Sequence, residues 1–304
     1  MTADAAVKND TVSGRDALRP SRDMLVAPEF QDALASLDLT CLDAVFAFDQ
    51  GRDLAKSNIG SHRRRFQLAV TLPGAKQPTK LYLKRYDRPP RFQQLMHWLR
   101  HGRRVSLGCG EHEVAWRLAS EGIGTPHTVA CGQEWGTVFE RRSFLMTREV
   151  ADSESLERKL PPCFGGPATA ERIRQRRDFI ERLATFVRRF HETGYRHRDL
   201  YFAHIFCSTD ETFCLIDLAR AFKPVLRRRF QIKDLAQLHY SAPRGFFSTA
   251  DRLRFYRAYV GRESLGPSDR RLLAAVVKKA VRMARHNRKH KIPVPFLDPS
   301  SEAC

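Results

Sequence analysis

His197-Arg198-Asp199-Leu200-Tyr201-Phe202-Ala203-His204, with Leu215-Ile216-Asp217 following it, is the stretch that decides how this chain is read. It holds two carboxylates in different settings. Asp199 sits between an arginine and a leucine, where a carboxylate can accept a hydrogen bond from a hydroxyl and take its proton. Asp217 ends the apolar run from Phe213 to Ile216 and offers hard oxygen to a cation such as magnesium. Just upstream, residues 171–193 place Ile173, Phe179, Ile180, Leu183, Phe186, Val187 and Phe190 at three- and four-residue spacing, which predicts an amphipathic helix. Gly194 is a natural stop for it.

Helix, glycine turn, His-Arg-Asp loop, short apolar strand and aspartate, in that order, is the arrangement of a kinase C-lobe. A His-Arg-Asp tripeptide by itself can arise by chance in an arginine-rich chain; the flanking elements give it weight. Phosphoryl transfer from ATP to a hydroxyl passes through a loose transition state, so the protein must mainly orient the acceptor and neutralise charge. In this reading Asp199 is the catalytic residue and Asp217 holds Mg2+ on the phosphates. A kinase usually places asparagine five residues after the catalytic aspartate as a further metal ligand, and here that position is His204. An imidazole can ligate through one nitrogen, but magnesium prefers oxygen. His204 therefore binds the metal, reaches it through water, or hydrogen-bonds a phosphate.

A kinase also needs a lysine on a strand and a glutamate on the helix that follows. Residues 80–86 alternate as a strand, with Lys84 as the phosphate-binding candidate, Arg85 on the opposite face and Lys80 as the weaker choice at the strand's start. Residues 110–120 predict the helix. Glu111 shares a face with Val114, Ala115 and Leu118 and so points inward; Glu113 lies beside Arg117 on the polar side and is the alternative. Expected strands over residues 44–48 and 63–72 flank a loop with only Gly51 and Gly60. Backbone amides near Gly60 could cradle phosphates, and a plain hairpin loop explains the same residues. The run from Ser143 to Met146, leading to Glu149, is the expected hinge against adenine.

Taken together, Tyr82-Leu83-Lys84-Arg85-Tyr86, Glu111, His197-Arg198-Asp199 with His204, Leu215-Ile216-Asp217-Leu218-Ala219-Arg220 and Lys233-Asp234-Leu235-Ala236 resemble the lipopolysaccharide core heptose kinase family over about residues 45–260. The resemblance implies a protein-kinase-like fold that phosphorylates an inner-core heptose, with ATP and Mg2+ as cofactors and a lipid-linked or glycan acceptor. It also implies that Lys84, Glu111, Asp199, His204 and Asp217 inherit the lysine, glutamate, catalytic and metal-side roles. Two features depart from protein kinases: Asp217-Leu218-Ala219 lacks the glycine of Asp-Phe-Gly, and no Ala-Pro-Glu follows. The nearest thing is Ser241-Ala242-Pro243, after the helix-like residues 229–240, and so short a segment leaves little room for a phosphorylated activation loop, which disfavours a protein substrate. Asp234 is expected to brace the catalytic loop by accepting backbone hydrogen bonds.

The expected organisation is α+β and bilobal. A small antiparallel β-rich N-lobe with one helix, hinge included, covers residues 36–150, and a larger, mostly helical C-lobe covers 151–292. Residues 1–30 are expected to be a flexible leader and 293–304 an extended tail. A net charge of +19, from 53 basic and 34 acidic residues, calls for an anionic partner beyond ATP. Two basic stretches stand out. Arg88–Arg104 forms a potential amphipathic helix whose Phe92, Leu95 and Leu99 either lie on an anionic membrane surface or pack on the N-lobe. Lys278–Lys291 gathers cations at the end of a helix begun at Arg270. Nucleic acid is disfavoured, since no zinc-ligand spacing or RNA-binding aromatic motif is found. The seven cysteines show no paired spacing, and no apolar run approaches the roughly 20 residues that cross a bilayer. A cytoplasmic protein, at most peripheral on the inner face of the membrane, is the expectation. A non-catalytic scaffold of the same fold is the rival reading, kept open by His204.

Overall fold

The computed structural model describes residues 18–21, 23–54 and 60–290. It divides into two compact units. One holds the chain up to Leu95 with Val105–Gly122 and His127–Glu149; the other holds Met96–Arg104, Ile123–Pro126 and the chain from Val150. The α+β class expected from the sequence is borne out.

In the first unit, β1 (Arg19–Ser21), β2 (Met24–Val26), β3 (Arg52–Asp53), β4 (Arg63–Val70), β5 (Thr79–Asp87), β6 (Thr128–Trp135) and β7 (Glu140–Arg148) form one antiparallel sheet. The strand order is β1-β2-β6-β7-β5-β4-β3. Leu81, Leu83 and Arg85 of β5 are buried on one face, and the strand's alternation sends Tyr82 and Lys84 to the other. Helices α1 (Gln31–Ala35) and α2 (Leu42–Ala47) cover the apolar face, where Leu34, Leu42 and Val45 join Phe66, Leu83 and Phe144 in one core.

The strand expected over residues 44–48 is a correction, because α2 ends there. Leu42 and Val45, three apart, are both buried, and so short a run cannot separate a period of two from one of 3.6. Arg85 explains the choice of helix. Its Nη1 donates to the carbonyls of Val45, Phe46 and Phe48 at 2.9, 2.7 and 2.9 Å, satisfying acceptors that a helix end leaves open. Its guanidinium also lies 4.2 Å from the centre of the Phe66 ring. The leader expected over residues 1–30 is corrected too. Met24, Val26, Ala27 and Phe30 are core residues, because β2 pairs with β6 on one side and β1 on the other and buries the alternate side chains of a strand too short to reveal its period. Residues 1–17 lie outside the described residues.

After β5 come α3 (Arg91–His101) and α4 (Leu107–Ser120). The packing considered for Phe92, Leu95 and Leu99 of α3 is not what is found: all three are exposed, while Gln94 and His97 are buried.

In the second unit β8 (Ser153–Ser155), β9 (Ile205–Ser208) and β10 (Phe213–Leu215) make a small antiparallel sheet in the order β10-β9-β8. A sequence break is expected before the long helix at Pro161-Pro162 and Gly165-Gly166-Pro167; helix α5 (Leu156–Phe164) runs through the first pair and ends at Gly165. Helix α6 (Ala170–Glu192) is capped by Thr169, whose Oγ1 accepts the Arg172 N–H, and the chain leaves it through Gly194 at φ 87°. Of the stripe the sequence spacing predicts, Phe179, Ile180, Leu183, Val187 and Phe190 are buried, and Ile173 and Phe186 are half-buried. Helix α8 (Thr249–Val260) packs on α6, and α9 (Pro267–Lys289) packs on α7 (Arg227–Ser241). On α9, Val276, Ala280 and Ala284 are buried, and Lys278, Arg282, Arg285, Arg288 and Lys289 are exposed. The expected tail over 293–304 lies outside the described residues. Among the described residues no helix is long and apolar enough to cross a membrane.

Candidate active site

On the first unit the site is built by the way α4 starts. Ser106 caps it, accepting the Cys109 N–H at 3.2 Å. The Glu140 carboxylate accepts the Leu107 N–H at 2.9 Å, and Ser143 Oγ accepts the Gly108 N–H at 3.0 Å. Three of the amides that a helix N-terminus leaves open are thus satisfied from β7 and the cap. Gly108 brings the helix onto that strand; a Cβ there would stand 2.7 Å from the Phe144 carbonyl oxygen. One turn further, Glu111 is buried, and its Oε1 lies 2.6 Å from Lys84 Nζ. The exposed Lys80 pairs instead with half-buried Glu149 at 3.3 Å. Glu113 is half-buried on the same helix. Gly60 is exposed in the turn before β4, where its carbonyl accepts the Arg63 N–H at 2.9 Å. Among the described residues Gly60 is bonded to neither Lys84 nor Glu111, and residues 55–59 lie outside them.

On the second unit α7 holds the loop. Asp234, with no exposed surface, accepts the backbone N–H groups of His197 and Arg198, each at 2.8 Å. Gln237, one turn along the same helix face, accepts the Leu200 N–H at 3.0 Å and donates to the Arg198 carbonyl at 2.8 Å. Four backbone groups of the loop are therefore fixed by two side chains. The loop needs this restraint, since Arg198 sits at φ 71°, a left-handed conformation that costs energy for a residue with a Cβ.

Asp217 is tied to the same loop through its neighbour. His197 Nε2 donates to the Ile216 carbonyl at 2.9 Å, and the Ile216 N–H donates to the His204 carbonyl at 3.0 Å. Asp217 itself is left-handed, at φ 58° and ψ 58°, and starts the 3-10 turn Leu218–Arg220. His204 Nδ1 donates to the Asp199 carbonyl at 2.7 Å, which leaves the lone pair of the neutral ring on Nε2. The His197 and His204 rings stack at 5.7 Å, and burial pushes the His197 pKa down, so His197 stays neutral.

The Asp199 carboxylate is gripped by cations. Arg220 Nη1 reaches both oxygens, at 2.8 and 3.1 Å, and Lys233 Nζ stands 3.7 Å away. Burial, with Arg100 and Arg220 adding repulsion, draws the Arg198 guanidinium down to about 10, and its carbon lies 5.6 Å from the Phe222 ring centre. Arg220 and Gln237 carry roles that sequence reasoning missed. Arg220 closes the motif that begins at Leu215, and Gln237 stands three residues after Asp234, so their spacing was the available signal. Among the described residues no group of three or more histidines, cysteines or carboxylates is arranged to hold a metal ion. Magnesium on a nucleotide needs only one or two protein carboxylates, the rest of its shell being phosphate and water, so the donor set at Asp217 fits it.

Comparison with known proteins gives a consistent picture. The profile of the lipopolysaccharide kinase (Kdo/WaaP) family matches residues 60–259. The lipopolysaccharide core heptose(I) kinase WaaP of Pseudomonas aeruginosa PAO1 is 30% identical over 196 residues, covering 59% of this chain and 70% of its own. The protein of the same name from Escherichia coli is 30% identical over 189 residues, with 59% and 70% covered. Among solved structures, WaaP in complex with acyl carrier protein superposes with a TM-score of 0.62 at 25% identity, over 85% of this chain and 98% of that one.

Proposed function

The chain belongs to the lipopolysaccharide kinase (Kdo/WaaP) family, and from that premise we propose that it transfers the γ-phosphate of ATP to a hydroxyl of an inner-core heptose of lipopolysaccharide. The observation that carries this reading is the loop held by Asp234 and Gln237, which presents Asp199 while Ile216 ties Asp217 to the same loop.

Each unit contributes named groups. On the first, Lys84, oriented by Glu111, supplies a fixed ammonium for phosphate oxygens; the ion pair keeps its long side chain in one rotamer. On the second, Asp199 accepts the acceptor hydroxyl and takes its proton late, when bond formation to phosphorus has made that proton acidic. Asp217 would hold Mg2+, which when bound neutralises charge on the phosphates. The Nε2 lone pair of His204 would reach the same metal directly or through water, or accept from a protonated phosphate oxygen. Gly60 and its neighbours are assigned to the phosphate-covering loop.

We extend two further features to this chain from its relatives. The acceptor is a glycan met on a lipid anchor, in keeping with a chain of net charge +19. An acyl carrier protein, present in the complex of the structural neighbour, is a candidate partner.

The test is mass spectrometry of the core oligosaccharide made with and without the protein, beside an Asp199→Asn variant. Loss of one phosphate without the protein, unrestored by the variant, is the expected result. Purified Asp199→Asn should lose about 10³-fold or more in kcat while still binding ATP. An unchanged core phosphate, or substantial turnover by the variant, would end this assignment.

A further inference from the structure

Helix α3 is turned inside out. Its buried positions are polar, Gln94 and His97 at 2% and 3% exposure, while Phe92 and Leu99 are 76% and 75% exposed and Leu95 is 44% exposed. The cause is local. Gln94 Nε2 donates to the carbonyls of Pro89 and Glu140 at 2.9 and 3.2 Å, and its Oε1 accepts the Glu140 N–H at 2.7 Å. One side chain thus pairs backbone groups at the start of β7 that a leucine would leave unsatisfied, at roughly 1–3 kcal/mol for each buried group. Once Gln94 faces inward, the helical repeat carries Phe92, Leu95 and Leu99, at i, i+3 and i+7, to the outside together.

The rim of this stripe is basic. Arg88, Arg91, Arg103 and Arg104 are exposed at the two ends of the helix, and residues 88–104 contain no acid. Trp98 is half-buried beside it. Three apolar side chains on a convex helix fall well short of the roughly 800 Å² per partner that a stable protein interface buries. They suffice for a helix lying in a lipid headgroup layer, where a few inserted side chains act with electrostatic attraction of about 1 kcal/mol per cation.

We propose that α3 is a membrane-surface anchor, with Phe92, Leu95 and Leu99 inserted at the headgroup boundary of an anionic bilayer and Arg88, Arg91, Arg103 and Arg104 set against its phosphates. The anchor is independent of the phosphotransferase reading. An Asp199→Asn chain should bind as the unaltered one does, so failure of one reading leaves the other standing.

The experiment is co-sedimentation of the full chain with vesicles of phosphatidylethanolamine and phosphatidylglycerol, beside vesicles of phosphatidylcholine alone. Retention on the anionic vesicles, weaker on the neutral ones and falling as salt rises, is expected. Phe92→Ser combined with Leu99→Ser should reduce it by about tenfold or more, with the thermal midpoint unchanged because both residues are exposed. Equal retention of the double variant, or equal binding to both vesicle types, overturns the proposal. If the double variant does not fold, Trp98 carries the test in a chain with Trp116→Phe and Trp135→Phe. Its emission should move to the blue on anionic vesicles and be quenched by lipids brominated near the headgroup, and unchanged emission overturns the proposal. Absence of vesicle binding, with the stripe covered only on addition of acyl carrier protein, overturns it in favour of a protein occupant.

Discussion

Asp234 lies at the root of the loop that carries Asp199, and its environment says how sensitive that position is. Both carboxylate oxygens accept backbone N–H groups, and the side chain has no exposed surface. Replacing Asp234 by Asn substitutes an NH2 donor for one acceptor and sets it against an N–H. The stability loss expected in a urea melt is about 3 kcal/mol, and kcat should fall further than KM rises, because the loop rather than a substrate contact is disturbed. A variant with full kcat would show that the bracing is dispensable. The role of Asp234 was readable from the sequence as an acid on a helix soon after the motif at residues 215–220. Those of Gln237 and Arg220 were signalled only by spacing, since nothing in residue type or periodicity records that their side chains will meet a loop 37 and 21 residues upstream. Glu111 and Glu113 could be told apart because the inward face of a helix is written in its neighbours Val114, Ala115 and Leu118.

Helix α4 and strand β7 behave as one element, joined at Gly108 and Glu140. Gly108→Ala would drive a methyl group into the Phe144 carbonyl, and the helix must lift. About 1–3 kcal/mol of stability should go with it, together with a weakened Lys84–Glu111 pair, seen as a raised KM for ATP. An unchanged melting curve would mean that the contact relaxes without consequence. Glu140 gives the same element a pH dependence. Burial raises its carboxyl from 4.5 to about 7, against hydrogen bonds from Ser143 and Leu107 that pull the other way. Because the folded pKa lies above the unfolded one, its contribution to stability is complete below pH 4.5 and is lost as pH rises through about 7. Half-buried His112, drawn down to about 4 by burial and the neighbouring His127, acts in the opposite sense, so the measurement is a difference between proteins. Glu140→Gln should gain thermal stability relative to the unaltered chain between pH 5 and 8, and a constant difference across that range would contradict the assignment. At this scale the long helices and β5 were readable because ten or more residues, or a strict alternation, fix the period. The elements missed were short. β2 and α2 hold too few residues to show one, and each is placed by a distant partner, β6 for the first and Arg85 for the second.

The whole molecule carries a net charge of +19. Chelation of divalent metal should stop phosphoryl transfer without shifting the thermal midpoint, because among the described residues no metal cluster supports the fold. A fall in the midpoint on chelation would reveal a structural ion. The α3 anchor and the exposed cations of α9 both predict that affinity for anionic surfaces drops steeply with ionic strength, which bulk salt titration would read directly. The clasp of Arg220 on Asp199 also acts at the level of the working protein. On the proposed function, a base whose two oxygens are already occupied is a poor host for a stray solvent molecule, so the clasp would shield nucleotide held by a resting copy from wasteful hydrolysis. On that reading an acceptor with enough contacts of its own to dislodge the guanidinium would open the way, and nucleotide consumption would follow the arrival of the right sugar.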